Sequence, residues 1–328
     1  MKKFLQTAVE KGIITSKQAE ELLKLHKETS LWGVSNLIIY FGGLVAIGGV
    51  SYFVTLGFMK YGYKGILFSA LFILIIAFLL LSKTENKIAK GVIATFIIAL
   101  VPMSVYGLLG VFGYWTEEYR SYYVLIDKNW LILEISTIIA ALIMLRKIKY
   151  PFLILPIAFS LWFMSMDIVE LIVGKLTWED RKIISLIFGM FTIFLAVLVD
   201  LKNRDFAFWL YIFGVVMFWG GLSLLESNSE VGKFIYFLIN IFMLFVGTLI
   251  RRKVFLVFGG IGVFFYFIHL ADDIFKNTFF FPIIVALMGL WFVNLGVKYK
   301  QNEEKIRQKI LKFLPEDLIL LIRKLENT

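Results

Sequence analysis

Residues 183–201 read Ile183-Ile184-Ser185-Leu186-Ile187-Phe188-Gly189-Met190-Phe191-Thr192-Ile193-Phe194-Leu195-Ala196-Val197-Leu198-Val199-Asp200-Leu201, an apolar run closed by Arg181 and Lys182 on one side and Lys202 on the other. Its one charge lies at the end, and its length is close to the ~20 residues that carry an α-helix across a bilayer core. Comparable runs bounded by charged or turn residues lie at about 31–59, 65–82, 91–113, 130–145, 151–174, 207–226, 234–250, 254–271 and 278–297. The chain therefore reads as all-α, a polytopic bundle of about ten transmembrane helices.

Composition supports this reading. Of the 328 residues 60% are hydrophobic, 17% aromatic and 18% charged, with a mean hydropathy of +0.84. A soluble domain is nearer half apolar and a quarter charged. Ten spans leave little chain for a soluble catalytic domain. The expected division is a cytoplasmic helical hairpin at 1–30, a transmembrane domain at 31–298 and an amphipathic tail at 299–328.

The formal net charge of +10 is distributed with a clear polarity. Most of the basic residues fall in the terminal segments and in alternate turns: Lys83 to Lys90, Arg146 to Lys149, Lys202 with Arg204, and Arg251-Arg252-Lys253. Lys and Arg set orientation, so these turns and both termini are expected in the cytoplasm. Several helices returning outward end in acid, which fits either a degenerate repeat of helical hairpins or the ordinary basic character of short cytoplasmic turns. The first 30 residues lack the apolar core of a secretory signal, so insertion is expected to begin with the first span.

Residues 3–11 form an expected short helix stopped at Gly12, the C′ position that favours glycine. Thr15 and Gln18 then make a capping-box pattern that opens a second helix to about Lys27. The stretch Ala8-Val9-Glu10-Lys11-Gly12-Ile13-Ile14-Thr15-Ser16-Lys17-Gln18-Ala19-Glu20, followed by Gly42, Gly43, Gly48 and Gly49 in the first span, resembles a bacterial family of predicted integral membrane proteins, domain-of-unknown-function family 2157. The resemblance covers mainly residues 1–60. It implies a multi-pass protein of the bacterial inner membrane and carries over no site residue.

Inventory removes several chemistries. The chain has no cysteine and only two histidines, His26 and His269, so disulfides, thiolate nucleophiles and iron–sulfur ligation are out. No phosphate-binding loop, H-E-x-x-H zinc motif or nucleophile elbow is found. No catalytic residue, cofactor or metal site is assigned, and an enzyme is not expected. The basic residues lie in turns and terminal segments, which is not a nucleic-acid footprint.

Ionisable residues inside spans are costly and so mark candidate sites. At a 1.5 Å rise per residue, Glu134 falls about 6 Å below the outer boundary, Asp167 about 24 Å above the inner one and His269 about 22 Å above it. Glu170, Glu226, Asp272 and Asp273 lie just outward. The candidate ligand- or ion-binding set is Glu134, Asp167, Glu170, His269, Asp272 and Asp273, lining an acidic outward region that attracts a small solute or cation. The competing reading places these groups in the headgroup region. Asn240 and Asn294 are deeper and suit interhelical hydrogen bonds. Pro102, Pro156 and Pro282 are expected to kink their spans, and Gly42, Ala46 and Gly49, like Gly259, Gly260 and Gly262, suit close helix packing.

After the last span, Lys305, Arg307, Lys309, Lys312, Arg323 and Lys324 suit a helix on anionic lipid headgroups at the cytoplasmic face. A protein partner or self-association through residues 1–30 or 299–328 is the alternative, and with it a scaffold or assembly role. Orientation is directly testable because the chain lacks cysteine. A single cysteine at Glu118 should react with an impermeant thiol reagent added outside, and one at Lys253 only after the membrane is breached.

Overall fold

In this computed structural model residues 2–29, 34–115, 128–227, 229–275 and 280–327 are described. They are mostly helical, and none of them forms a strand. The helices are α1 (Lys2–Glu10), α2 (Ser16–Thr29), α3 (Val34–Lys83), α4 (Lys87–Val111), α5 (Lys128–Lys147), α6 (Ile154–Val173), α7 (Trp178–Asp200), α8 (Arg204–Leu224), α9 (Glu230–Ile250), α10 (Lys253–Phe275), α11 (Phe280–Leu311) and α12 (Glu316–Asn327), with a 3-10 turn at Pro151–Leu153. Among the described residues eight helices, α3, α4 and α6 to α11, are long and apolar enough to cross a membrane. Over 130–147 α5 carries three charges, Glu134, Arg146 and Lys147.

Two compact units emerge, one of residues 1–120 with 139–153, the other of 121–138 with 154–328. In the first, α3 is not one straight rod. Gly62 takes φ 61°, ψ −142°, and a β-carbon added at Gly57 would sit 2.9 Å from the carbonyl oxygen of Gly65. In a straight helix residues eight apart are ~12 Å apart along the axis, so the chain reverses here and α3 has two arms. Glycine supplies the positive φ this requires. Both arms reach α4: a β-carbon on Gly43 would lie 2.8 Å from Val92, and one on Gly107 would lie 2.8 Å from the Leu67 backbone. Gly42 and Gly49, expected at a packing face, have open space around them, as do Gly48 and Gly260. Phe58, Tyr63, Tyr106 and Trp115 form an edge-to-face aromatic chain at the reversal.

The second unit is built from hairpins joined by short basic turns. Helices α7 and α8 meet over the three residues 201–203, and α9 and α10 over Arg251 and Arg252. Glycines let these pairs approach at backbone distance. A β-carbon on Gly189 would sit 2.7 Å from the Gly214 carbonyl, one on Gly214 2.9 Å from the Ile193 nitrogen, and one on Gly221 2.7 Å from the Lys182 carbonyl. Gly247 and Gly259 do the same between α9 and α10. Ala196, Ala207, Tyr211, Val215, Met243 and Phe255 form the buried core of these four helices.

The terminal elements follow their capping signals. At the end of α1, Gly12 (φ 68°) donates to Val9 and Ile13 donates to Ala8, the paired bonds of a Schellman cap. Gln18 and Thr15 exchange both bonds of a capping box. Helix α11 runs unbroken across position 298, and α12 restarts after Pro315 and packs on α9 with Ile322 and Leu325 buried.

Three expectations change. Pro156 and Pro282 fall at the third residue of α6 and α11, within the first turn whose N–H groups have no intrahelical acceptor, so they cost no helix bond and only Pro102 lies in a helix interior. Asn294 is exposed on α11 rather than turned toward a neighbour.

The glycine contacts make a sharp prediction. Gly189→Ala and Gly214→Ala should each lower unfolding stability by about 1–3 kcal/mol through overpacking. Gly220→Ala, with open space around it, should be neutral or stabilising by up to ~1 kcal/mol. Thermal unfolding of the purified variants reads the difference.

Candidate functional site

Besides Asp200, which is paired with an arginine, two carboxyl groups of the second unit are buried. Glu134 on α5 is 7% exposed and Asp167 on α6 is 4% exposed. Glu134 is six residues from the start of α5 and Asp167 six from the end of α6, so both lie about 9 Å from their helix ends. They are close enough for the two charges to repel. The Oε2 atom of Glu134 is buried without a hydrogen-bond partner. A buried acceptor left unsatisfied costs ~1–3 kcal/mol, so a group that meets it there is favoured.

One turn nearer the helix ends, Glu170 accepts a bond from Arg181 Nη2 at 2.9 Å, each side chain 20% exposed. The same arginine acts electrostatically on Asp167. The region near these helix ends is thus not purely acidic: a half-buried Glu170–Arg181 pair lies between the deep carboxyls and the helix ends. Trp162 Nε1 donates to Ser185 Oγ at 3.0 Å, pinning α6 to α7 below it. Buried hydroxyls of Thr137 and Ser160 continue the polar face deeper on α5 and α6.

The structure therefore brings together Glu134, Asp167 and Glu170. His269 faces another group, with its Nε2 3.5 Å from Glu230 Oε2 at the start of α9. Asp272 is half-buried one turn further along α10, and the side chain of Asp273 lies outside the described residues, as do Glu117 and Glu118. Glu226 is exposed. Among the described residues no three His, Asp or Glu side chains converge as a metal site. Asn240 is fully buried, accepting from Trp219 Nε1 at 3.0 Å and donating to the Tyr236 carbonyl at 2.8 Å. It presses on Gly262, whose missing side chain makes its room.

Two features escape a reading of the sequence. Arg181 looks like a boundary charge, and only the register of α6 on α7 reveals it as the partner of Glu170. Asp200 and Arg252 look like members of separate basic turns, yet they form a buried ion pair. Arg252 donates from Nε at 2.9 Å and again from Nη2, with Asp200 at 0% exposure. The guanidinium lies 5.7 Å from the Tyr211 ring centroid. Arg307 Nε donates to the Leu249 carbonyl at 3.3 Å, and Arg251 bonds Glu304 at 2.7 Å. These contacts tie α7, α8, α9, α10 and α11 at the basic-turn end.

Comparison with known proteins found no family that matches the chain, and no curated protein or solved structure similar to it.

The Asp200–Arg252 pair reads as structural. Arg252→Met should cost about 3–5 kcal/mol by stranding a buried carboxylate, while Asp200→Leu with Arg252→Met should recover most of that loss. A double-mutant cycle on thermal unfolding measures the coupling.

Proposed function

We propose that the protein is a ten-span inner-membrane protein with both termini in the cytoplasm that binds a small cation, a proton included, at Glu134 and Asp167, and so moves or senses it. Ten spans result when the two arms of α3 count separately and α5 is included. The orientation draws on the basic turns that join α3 to α4, α7 to α8 and α9 to α10. The hairpin resemblance to the bacterial predicted membrane proteins is consistent with this class.

One observation carries the reading. Two carboxyl groups, 7% and 4% exposed, lie within electrostatic reach of each other on apolar helices, and one has a buried oxygen with nothing bonded to it. Such a pair keeps two like charges out of water unless a cation or a proton joins it. Arg181, held by Glu170, lies on the outward route, so a cation passing there meets a positive group that must be neutralised or moved aside. A scaffold role through the termini has less support, since α12 already uses Ile322 and Leu325 against its own bundle.

Sealed vesicles containing the purified protein, with a pH-sensitive dye inside, test the reading under imposed sodium or potassium gradients. The wild type should dissipate the gradient faster than protein-free vesicles. Glu134→Gln and Asp167→Asn should each fall to the protein-free rate while eluting as folded protein. Unchanged exchange in both variants contradicts the site.

A further inference from the structure

The first unit holds a cavity of about 610 Å³ between the second arm of α3, α4 and the end of α5, within the size range of small-molecule sites. Its walls are apolar almost throughout, with Phe78, Ile97, Ile98 and Met144 among them. The polar exceptions are Ser82, Lys90 and Lys147. Their positions are not scattered. The second arm of α3 runs toward its turn from Leu74 to Ser82, α4 leaves that turn from Lys90 to Val101, and α5 descends from Ala140 to Lys147. All three polar residues are therefore at the same end, the basic-turn end, and the cavity extends from them along α4 for eleven residues, about 16 Å.

A long apolar slot with two cations and a hydroxyl at one mouth is complementary to an amphiphile with an acyl chain and an anionic head. A soluble anion leaves the slot unfilled, and a neutral lipid leaves the lysines unused. The surroundings strengthen the charge match. The turns flanking the mouth add Lys83, Lys87, Arg146 and Lys149 against a single acid, Glu85, and among the described residues no ion pair engages Lys90 or Lys147. The depth is right as well, since the mouth is at helix ends, where headgroups lie, and the slot points into the apolar length of the helices.

We propose that this cavity is a binding site for an anionic phospholipid of the adjoining leaflet, its acyl chain against Ile97, Ile98 and Met144 and its phosphate on Lys90 and Lys147. The site is separate from the carboxyl pair of the second unit and stands or falls independently of it.

Native mass spectrometry of the full-length protein in detergent micelles tests the site, with dioleoyl phosphatidylglycerol, dioleoyl phosphatidylcholine or oleate added. The wild type should retain one phosphatidylglycerol in preference to phosphatidylcholine by about tenfold or more, given ~1 kcal/mol per lysine near a phosphate. Lys90→Gln with Lys147→Gln should erase that preference. Ala140→Trp, which fills the slot while keeping both lysines, should lower retention of phosphatidylglycerol. Lys305→Gln with Lys309→Gln, in the tail, should leave it unchanged. Equal retention of the two phospholipids by the wild type, or a preference that survives Lys90→Gln with Lys147→Gln, overturns the proposal. Lysine-dependent retention of oleate but not of phosphatidylglycerol overturns the phospholipid as occupant. If the double lysine variant does not fold, undiminished retention in Ala140→Trp decides against the site.

Discussion

A polar group buried on an apolar helix has no water to bond, and the placement of most buried polar side chains among the described residues answers to that constraint. Threonine and serine hydroxyls return to carbonyls one turn back, as Thr137 does to Leu133 and Thr192 to Phe188. Asn240 divides its amide between Trp219 and its own helix. Asp200 is neutralised by Arg252, which also covers the Tyr211 ring. Glu134 stands apart because the nearby charge acting on it is another acid, while its Oε2, like the Tyr211 hydroxyl, is buried with no bond. That exception is the reason to look for function there.

The same constraint explains the architecture. Apolar side chains gain little by leaving lipid for one another, so helix association relies on close backbone packing and interhelical bonds. Gly189, Gly214 and Gly221 bring α7 and α8 to backbone distance, and Gly247, Gly259 and Gly262 do so for α9 and α10. Polar contacts then fix register: Trp162 to Ser185, Glu170 to Arg181, Trp219 to Asn240. The ionic contacts at the basic-turn end are a separate device. They tie five helices together where their ends approach the surface, far from the carboxyl pair.

Much of the fold is legible in the sequence because the apolar runs and their basic boundaries are strong, local signals. The helix starts and stops at Gly12, Thr15 and Pro315 follow from capping chemistry alone. The α3 reversal is anticipated by the gap between the runs 31–59 and 65–82, though not its dependence on Gly62. Burial cost points to Glu134, Asp167 and Glu170 but equally to His269, Asp272 and Asp273, and of these His269 faces Glu230 instead; the matched depth of Glu134 and Asp167 follows from counting residues. Arg181, the Asp200–Arg252 pair and the Glu230 partner of His269 depend on how helices rotate against each other, which spacing along one helix does not encode. Asn294 illustrates the converse: a deep polar residue whose helix turns it outward.

The proposed function requires that Glu134 and Asp167 form one buried site that takes up a cation or proton. Infrared difference spectroscopy of the reconstituted protein, between acid and alkaline buffer and with and without added sodium or potassium, observes those carboxyl groups directly. A protonated-carboxyl band that responds to pH or to the cation, and that disappears in Glu134→Gln and changes in Asp167→Asn, is the predicted result. Identical difference spectra for the wild type and both variants would contradict it.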